Sequence, residues 1–244
     1  MAFANPRYGD RRVHALLRRR GQTVNRKPVV RIWQKFGLQV PRSKQQRKRV
    51  REPQPITPTA TRPNEVWTYN FVFDRDAAGR RLKLLILMDE FTREGLAIRV
   101  GRSFKAAQVK EVLRQVGAKR GFPQFMRSDN GSEFIAGIIK DFLAENNIKT
   151  AYIEPGSPWQ NGKGESLNGK FRDECLRMET FGNWREAEVI AEKWRKFYNG
   201  ERPHSSLGYQ TPDEFKQNWE KRQRLLKCES REKLANPVAQ SLGS

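Results

Sequence analysis

The stretch WTYNFVFDRDAAGRRLKLLILMD, residues 67–89, reads as two strands and the turn between them. Trp67, Tyr69, Phe71 and Phe73 alternate with Thr68, Asn70, Val72 and Asp74, a period of two that lays the aromatic side chains on one sheet face. Ala77, Ala78 and Gly79 form the turn, and Leu82 to Asp89 follows as an apolar run. Gly95 to Val100 adds a third strand, so the three form an antiparallel meander. Downstream, Ala106, Val109, Val112, Leu113 and Val116 recur at helical spacing up to Gly121. Phe125 to Ser128 is a short strand, and Phe134, Ile138, Ile139, Phe142 and Leu143 give another amphipathic helix. Lys149 to Ile153 is a last strand, followed by a helix with Leu167, Phe171, Cys175 and Met178 as its buried stripe. This order describes an α/β layer fold with a mixed sheet: three antiparallel strands, two further strands and flanking helices.

Upstream of this core the texture is different. The chain of 244 residues carries 48 Lys or Arg against 27 Asp or Glu, a net charge of +21. Residues 1–62 hold 17 of those cations and only two acidic residues, Asp10 and Glu52, which places +15 in one quarter of the chain. Like charges so concentrated repel unless a polyanion neutralises them. Val13, Leu16 and Leu17 form an i, i+3, i+4 stripe behind Asp10, read as an N-cap, and Gly21 ends that helix. Val29, Ile32, Trp33 and Phe36 form a second stripe behind Asn25, ending at Gly37. Arg11, Arg18, Arg19, Arg26, Lys27 and Arg31 fall between the apolar positions. A helix-turn-helix with a basic outer face accounts for this, and a basic helical hairpin without groove specificity is the competing description. Two helices this short need a third element, or DNA, to order them.

The predicted organisation is therefore a helix-turn-helix module over residues 1–40, a linker over 41–63, an α/β core over 64–180, a helical extension over 181–217 and a charged tail over 218–244. In the linker, Arg42, Lys44, Arg47, Lys48 and Arg49 suit phosphate contact by counterion release. Pro53, Pro55, Pro58 and Pro63 favour an extended tether that would hold the module at a distance. The longest apolar run, Leu84 to Met88, is far short of the roughly 20 residues a bilayer span requires. No signal-peptide core occurs near the start, so a soluble intracellular protein with no membrane partner is expected. Cys175 and Cys228 are too few and too far apart for a metal knuckle or a disulfide framework.

Two carboxylates stand out. Asp129 follows the short strand in Asp129-Asn130-Gly131, a sequence that by itself also describes a turn former. Glu165 opens a helix after a loop rich in Gly and Pro, where an acidic side chain also complements the helix dipole. Between them lie 35 residues, and Arg172 falls two helical turns beyond Glu165.

Taken with the blocks Trp67–Asp74, Met88–Glu94, Ser128–Phe134, Pro155–Leu176, Tyr198-Asn199, Arg202–Tyr209 and Thr211-Pro212, the chain from about Arg7 to Phe215 resembles the retroviral-integrase-type catalytic core. Specifically it resembles the OrfB-type transposases of bacterial insertion sequences in the IS-three family. The resemblance implies an RNase H-like fold whose three acidic residues hold two Mg²⁺ or Mn²⁺ ions, a chemistry consistent with hard oxygen ligands and in-line phosphoryl displacement. It implies cleavage at element ends and joining of the 3′ hydroxyl to DNA, by copy-out through a joined-end circle. Double-stranded DNA, as terminal repeats and target, would be the substrate. A homo-oligomer follows from joining two ends, and a bacterial, cytoplasmic, nucleoid-associated location is expected. Family members work with an upstream region carrying a heptad zipper. No sustained heptad occurs here, so the chain is read as a shorter frame product or a fragment, and an upstream-frame partner protein is a candidate partner.

Asn70 stands where the family places its first catalytic Asp. An amide keeps the shape and one neutral oxygen but loses a charge, so the chain is expected to be inactive or nearly so, with the metal and catalytic set Asn70, Asp129 and Glu165. An introduced change, a decayed copy and substitution by Asp74 compete to explain it. Asp74 is on the same strand face but about 13 Å further along. Lys163, Lys170 and Arg172 are assigned to phosphates near the reacting bond or to a solvated helix face. Trp159, Gln160 and Asn161 are assigned to a distorted base, Trp159 alternatively to a lid. His204 is assigned to DNA or to a local cap. Other functions open at this point are a non-enzymatic end-binding protein or repressor and an RNA-binding protein with a degenerate core.

Overall fold

The computed structural model describes residues 7–38, 59–128, 136–152 and 162–235. Its sheet has five strands, β1 Val66–Arg75, β2 Arg81–Asp89, β3 Gly95–Gly101, β4 Phe125–Ser128 and β5 Lys149–Tyr152, in the spatial order β3-β2-β1-β4-β5. β1, β2 and β3 are antiparallel neighbours, whereas β1, β4 and β5 run parallel. This is the mixed sheet that the alternation of residues 67–74 and the apolar run after it predict.

Helices cover both faces, which is why β2 is apolar almost throughout rather than alternating. On one face Trp67, Tyr69, Leu85, Leu87 and Met126 pack with α3 (Ala106–Arg120) and α4 (Gly137–Glu145). On the other, Val72, Leu84, Ile86 and Met88 pack with α5 (Gly162–Phe171), the π turn Arg172–Leu176 and α6 (Trp184–Gly200). Phe171, Trp194, Tyr198 and His204 stack in series there, with ring centroids 4.9, 4.9 and 4.5 Å apart. Phe73, grouped with the aromatic face by its spacing, lies past the edge of that core and is exposed beside Arg81.

The β1–β2 turn is built by Asp76, whose Oδ1 accepts from the Ala78 and Arg80 amides at 3.1 and 2.9 Å. Gly117 shows how closely α3 is packed. A Cβ there would come to 1.9 Å from Phe122, whose ring lies edge-on to Phe142. Gly117→Ala should therefore destabilise by about 1–3 kcal/mol despite alanine's better helix propensity. A chemical-denaturation midpoint at or above that of the parent would contradict this packing.

At the N-terminus α1 (Asp10–Arg19) and α2 (Arg26–Lys35) form the expected pair. Both end in Schellman turns: the Gly21 and Gln22 amides bond the Arg18 and Leu17 carbonyls, and those of Gly37 and Leu38 bond Gln34 and Trp33. Gly9 caps α1, one residue earlier than the reading of Asp10 as N-cap; Asp10 lies in the first turn and pairs with Arg26 at 3.0 Å. Of the second stripe, Val29 and Trp33 are buried but Ile32 and Phe36 are 53% and 66% exposed. The third element is the core itself: Tyr8, Val13, Val29 and Trp33 close against Phe197 of α6. The module is thus docked on the core rather than held off at a distance. α7 (Pro212–Ala235) runs on through the first part of the residues read as a charged tail.

Candidate active site

Asn70 lies in the middle of β1, 7% exposed and opposite Ile86 of β2. Strand alternation puts it on the face of Thr68 and Val72, toward α5, because Trp67 and Tyr69 occupy the other core. Glu165 is exposed in the first turn of α5, while Leu167, Asn168 and Phe171 turn inward. That amphipathic division lays α5 against β1 with the acidic side chain outward. Asp129 is the next residue after Ser128, the last of β4. Asp129 itself lies outside the described residues, as do Trp159, Gln160, Asn161, Arg42, Lys44, Arg47, Lys48 and Arg49. Asp74 sits further along β1, opposite Leu82 and electrostatically coupled to Cys175 beyond the end of α5.

Beside Asn70's neighbour Thr68 is a buried polar cluster. Glu90, fully buried just after β2, accepts from Arg127 Nη1 at 2.6 and 2.8 Å and from the Thr68 hydroxyl. Lys163 Nζ of α5 stands 3.6 Å from the same carboxylate. Burial holds the Lys163 ammonium below the ordinary lysine range, against the pull of Glu90. Asp89 is spent locally: its oxygens accept from the amides of Asn64, Phe91 and Thr92 and shape the turn into β3.

Lys170 donates to Ser166 Oγ at 2.6 Å, and burial, then Arg202, brings it down to about 8. Arg172 is exposed at the start of the π turn. Glu174 in that turn receives both Arg202, 1% exposed, and Arg12 of α1 at 3.5 Å. The module, the π turn after α5 and the segment after α6 therefore meet at one carboxylate.

The basic face of the module is divided in the same way. Arg19 makes a bidentate pair with Glu214 of α7 at 2.7 and 2.6 Å, and Arg26 pairs with Asp10. Arg11, Arg18, Lys27 and Arg31 are exposed. Arg11, Arg18, Arg19 and Arg26, with His14, line a cleft whose far wall is Gly208 and Tyr209 of the core. His204 is 3% exposed with Nε2 3.2 Å from the Tyr198 carbonyl. Burial, then Arg202, pushes it down to about 3. Its unfolded-state value is near 6.5, so it contributes stability that is complete above that pH and is lost progressively as pH falls toward 3. A melting-temperature series should show His204→Gln losing less than the parent between pH 7 and pH 5; equal losses would remove His204 from the acid sensitivity.

Two integrase core domain models match this chain, over residues 60–158 and 146–212, and an HTH-like domain model matches residues 2–49. An insertion element IS407 protein of 31.7 kDa from Burkholderia multivorans is 38% identical over 216 residues, covering 88% of this chain and 77% of its own length. The chain belongs to the insertion-sequence transposases with an integrase-type core. An IS476 protein of 39.2 kDa from Xanthomonas euvesicatoria is also 38% identical, over 91% of this chain, which spans 64% of that longer relative. In fold, the transposase core is similar to the catalytic core domain of BIV integrase, with a TM-score of 0.51 at 18% identity, covering 66% of this chain and 99% of that one. That likeness bears out the RNase H-like architecture.

In this transposase nothing in the sequence signals that certain charged residues would pair, even where they fall inside the motif blocks. Glu90 and Arg127 are charged residues at strand ends, where exposure is the ordinary expectation. Glu174 and Arg202 lie 28 positions apart and only the turn after α6 brings them together.

Proposed function

We propose that this transposase is a polynucleotidyl transferase that cleaves DNA at the ends of its element and joins the freed 3′ hydroxyl to a second phosphodiester. One observation carries the reading. β1 and β4 are parallel neighbours with Thr68 opposite Arg127, and Asn70 and Asp129 are each two residues further along the chain in the same direction. α5, with Glu165 in its first turn, packs on β1 from the face that Asn70 shares.

The donor set Asn70, Asp129 and Glu165 is all oxygen, which fits a hard divalent cation such as Mg²⁺ or Mn²⁺ but leaves the set one negative charge short. Two such ions, when bound, would activate the attacking oxygen and stabilise the leaving one. The chain's own contribution would be to supply Asn70 from mid-β1, Asp129 from just after β4 and Glu165 from α5, and to orient DNA. Arg172, exposed beyond Glu165, would meet a phosphate, and the exposed Arg11, Arg18, Lys27 and Arg31 would face the duplex.

Arg18→Ala should weaken duplex binding at every sequence and lower the slope of log affinity against log salt by about 1. Titrations with duplex DNA and RNA at matched salt test the substrate class: preference for RNA overturns the proposal. Asn70 favours a second reading, a non-enzymatic protein that binds element ends and represses an active relative. Joining two ends calls for at least two protomers.

A further inference from the structure

The buried cluster around Glu90 has a regular relation to the proposed metal-binding positions. Thr68 stands two residues before Asn70 on β1, Arg127 two before Asp129 at the end of β4, and Lys163 two before Glu165 on α5. All three converge on the Glu90 carboxylate. We propose that Glu90 is a positioning residue: by gripping one side chain from each of the three segments, it sets the separation of the three groups that hold the metal. The inference rests on the polynucleotidyl-transferase reading above.

The physical reason lies in what otherwise joins these segments. β1 and β4 share a short parallel ladder that ends near Thr68 and Arg127, and α5 meets the sheet through apolar side chains that tolerate sliding. A carboxylate with two oxygens supplies directional contacts in a dry interior, where each fixes an angle as well as a distance. Arg127 reaches both oxygens, Thr68 bonds one and Lys163 approaches the other. Arg93 is also within electrostatic reach of Glu90 and of Lys163, and its turn holds a left-handed backbone at φ 63°. Three cations thus surround one buried carboxylate. Neutralising it would leave Arg127, Lys163 and Arg93 repelling one another directly behind the metal positions, and α5 would move away from the sheet. The effect resembles loss of an outer-shell partner, which lowers metal affinity by 10–100-fold, on the order of magnitude expected here.

The test compares the full-length chain carrying Asn70→Asp with the same chain carrying Glu90→Gln in addition. Mn²⁺ binding is followed by electron paramagnetic resonance, duplex affinity by anisotropy, and folding by thermal melt. The double variant should bind Mn²⁺ about tenfold more weakly and keep its duplex affinity within about twofold, and higher Mn²⁺ should recover its strand-transfer rate. Unchanged Mn²⁺ affinity in a folded double variant overturns the positioning role. Absence of Mn²⁺ binding by the Asn70→Asp chain itself would instead overturn the underlying enzymatic reading. If Glu90→Gln prevents folding, Lys163→Met, which removes only the tie from α5, is measured in its place. Mn²⁺ affinity equal to that of the Asn70→Asp chain then counts against the proposal.

Discussion

Asn70→Asp is expected to give the chain metal-dependent strand-transfer activity, with a gain over the parent on the order of a thousandfold or more. The substitution adds one carboxylate oxygen charge without changing side-chain shape, at a buried position in the centre of a five-stranded sheet. A deficit of several kcal/mol in transition-state binding corresponds to that factor at about 1.4 kcal/mol per decade. The substrate is a plasmid carrying the DNA that flanks this reading frame, assayed for nicking and joining in Mg²⁺ and in Mn²⁺. Glu165→Gln in the same background should abolish the gain, because Glu165 is exposed on α5 and its loss leaves the fold intact. No gain over the parent would favour the end-binding reading. Asp74, four residues further along β1 and opposite Leu82, is expected to be a poor substitute for the missing charge.

Glu174→Gln is the stability counterpart. It leaves Arg202, 1% exposed, without its carboxylate, and Arg202 Nη1 already has no hydrogen-bond partner among the described residues. Arg12 and Lys170 lie close enough to add repulsion. Removing one member of a buried pair costs about 3–5 kcal/mol, which at about 2–4 °C per kcal/mol gives a fall in Tm of roughly 6–20 °C. Adding Arg202→Met should recover more than half of it, because the unpaired charge is then gone. A single-variant loss below about 1 kcal/mol would mean that water reaches the pair and screens it. The exposed Arg19–Glu214 pair, by contrast, is expected to matter little for stability despite its bidentate geometry.

The core was legible where one local pattern had one structural outcome. The alternation of residues 67–74, the apolar run after it and the short strand Phe125–Ser128 correspond to β1, β2 and β4. Glycines 21 and 37 end their helices because each takes positive φ. The second helix of the module was less legible. Ile32 and Phe36 have the spacing of a buried stripe, but the core covers only the side of α2 that carries Val29 and Trp33. Amphipathic spacing states which residues share a face, not how wide a face the rest of the molecule covers.

By itself the sequence determined the strand order along the chain, the basic module, the acidic residues and the anomaly at Asn70, since side-chain periodicity and motif identity are properties of neighbouring residues. The tertiary structure alone decided which charges are engaged. Glu90 meets Arg127 across 37 positions, Glu174 meets Arg202 across 28 and Arg19 meets Glu214 across 195. An ion pair forms wherever the path of the backbone brings opposite charges together, buried or exposed, and that path is set by burying the two apolar faces of the sheet rather than by the charges themselves.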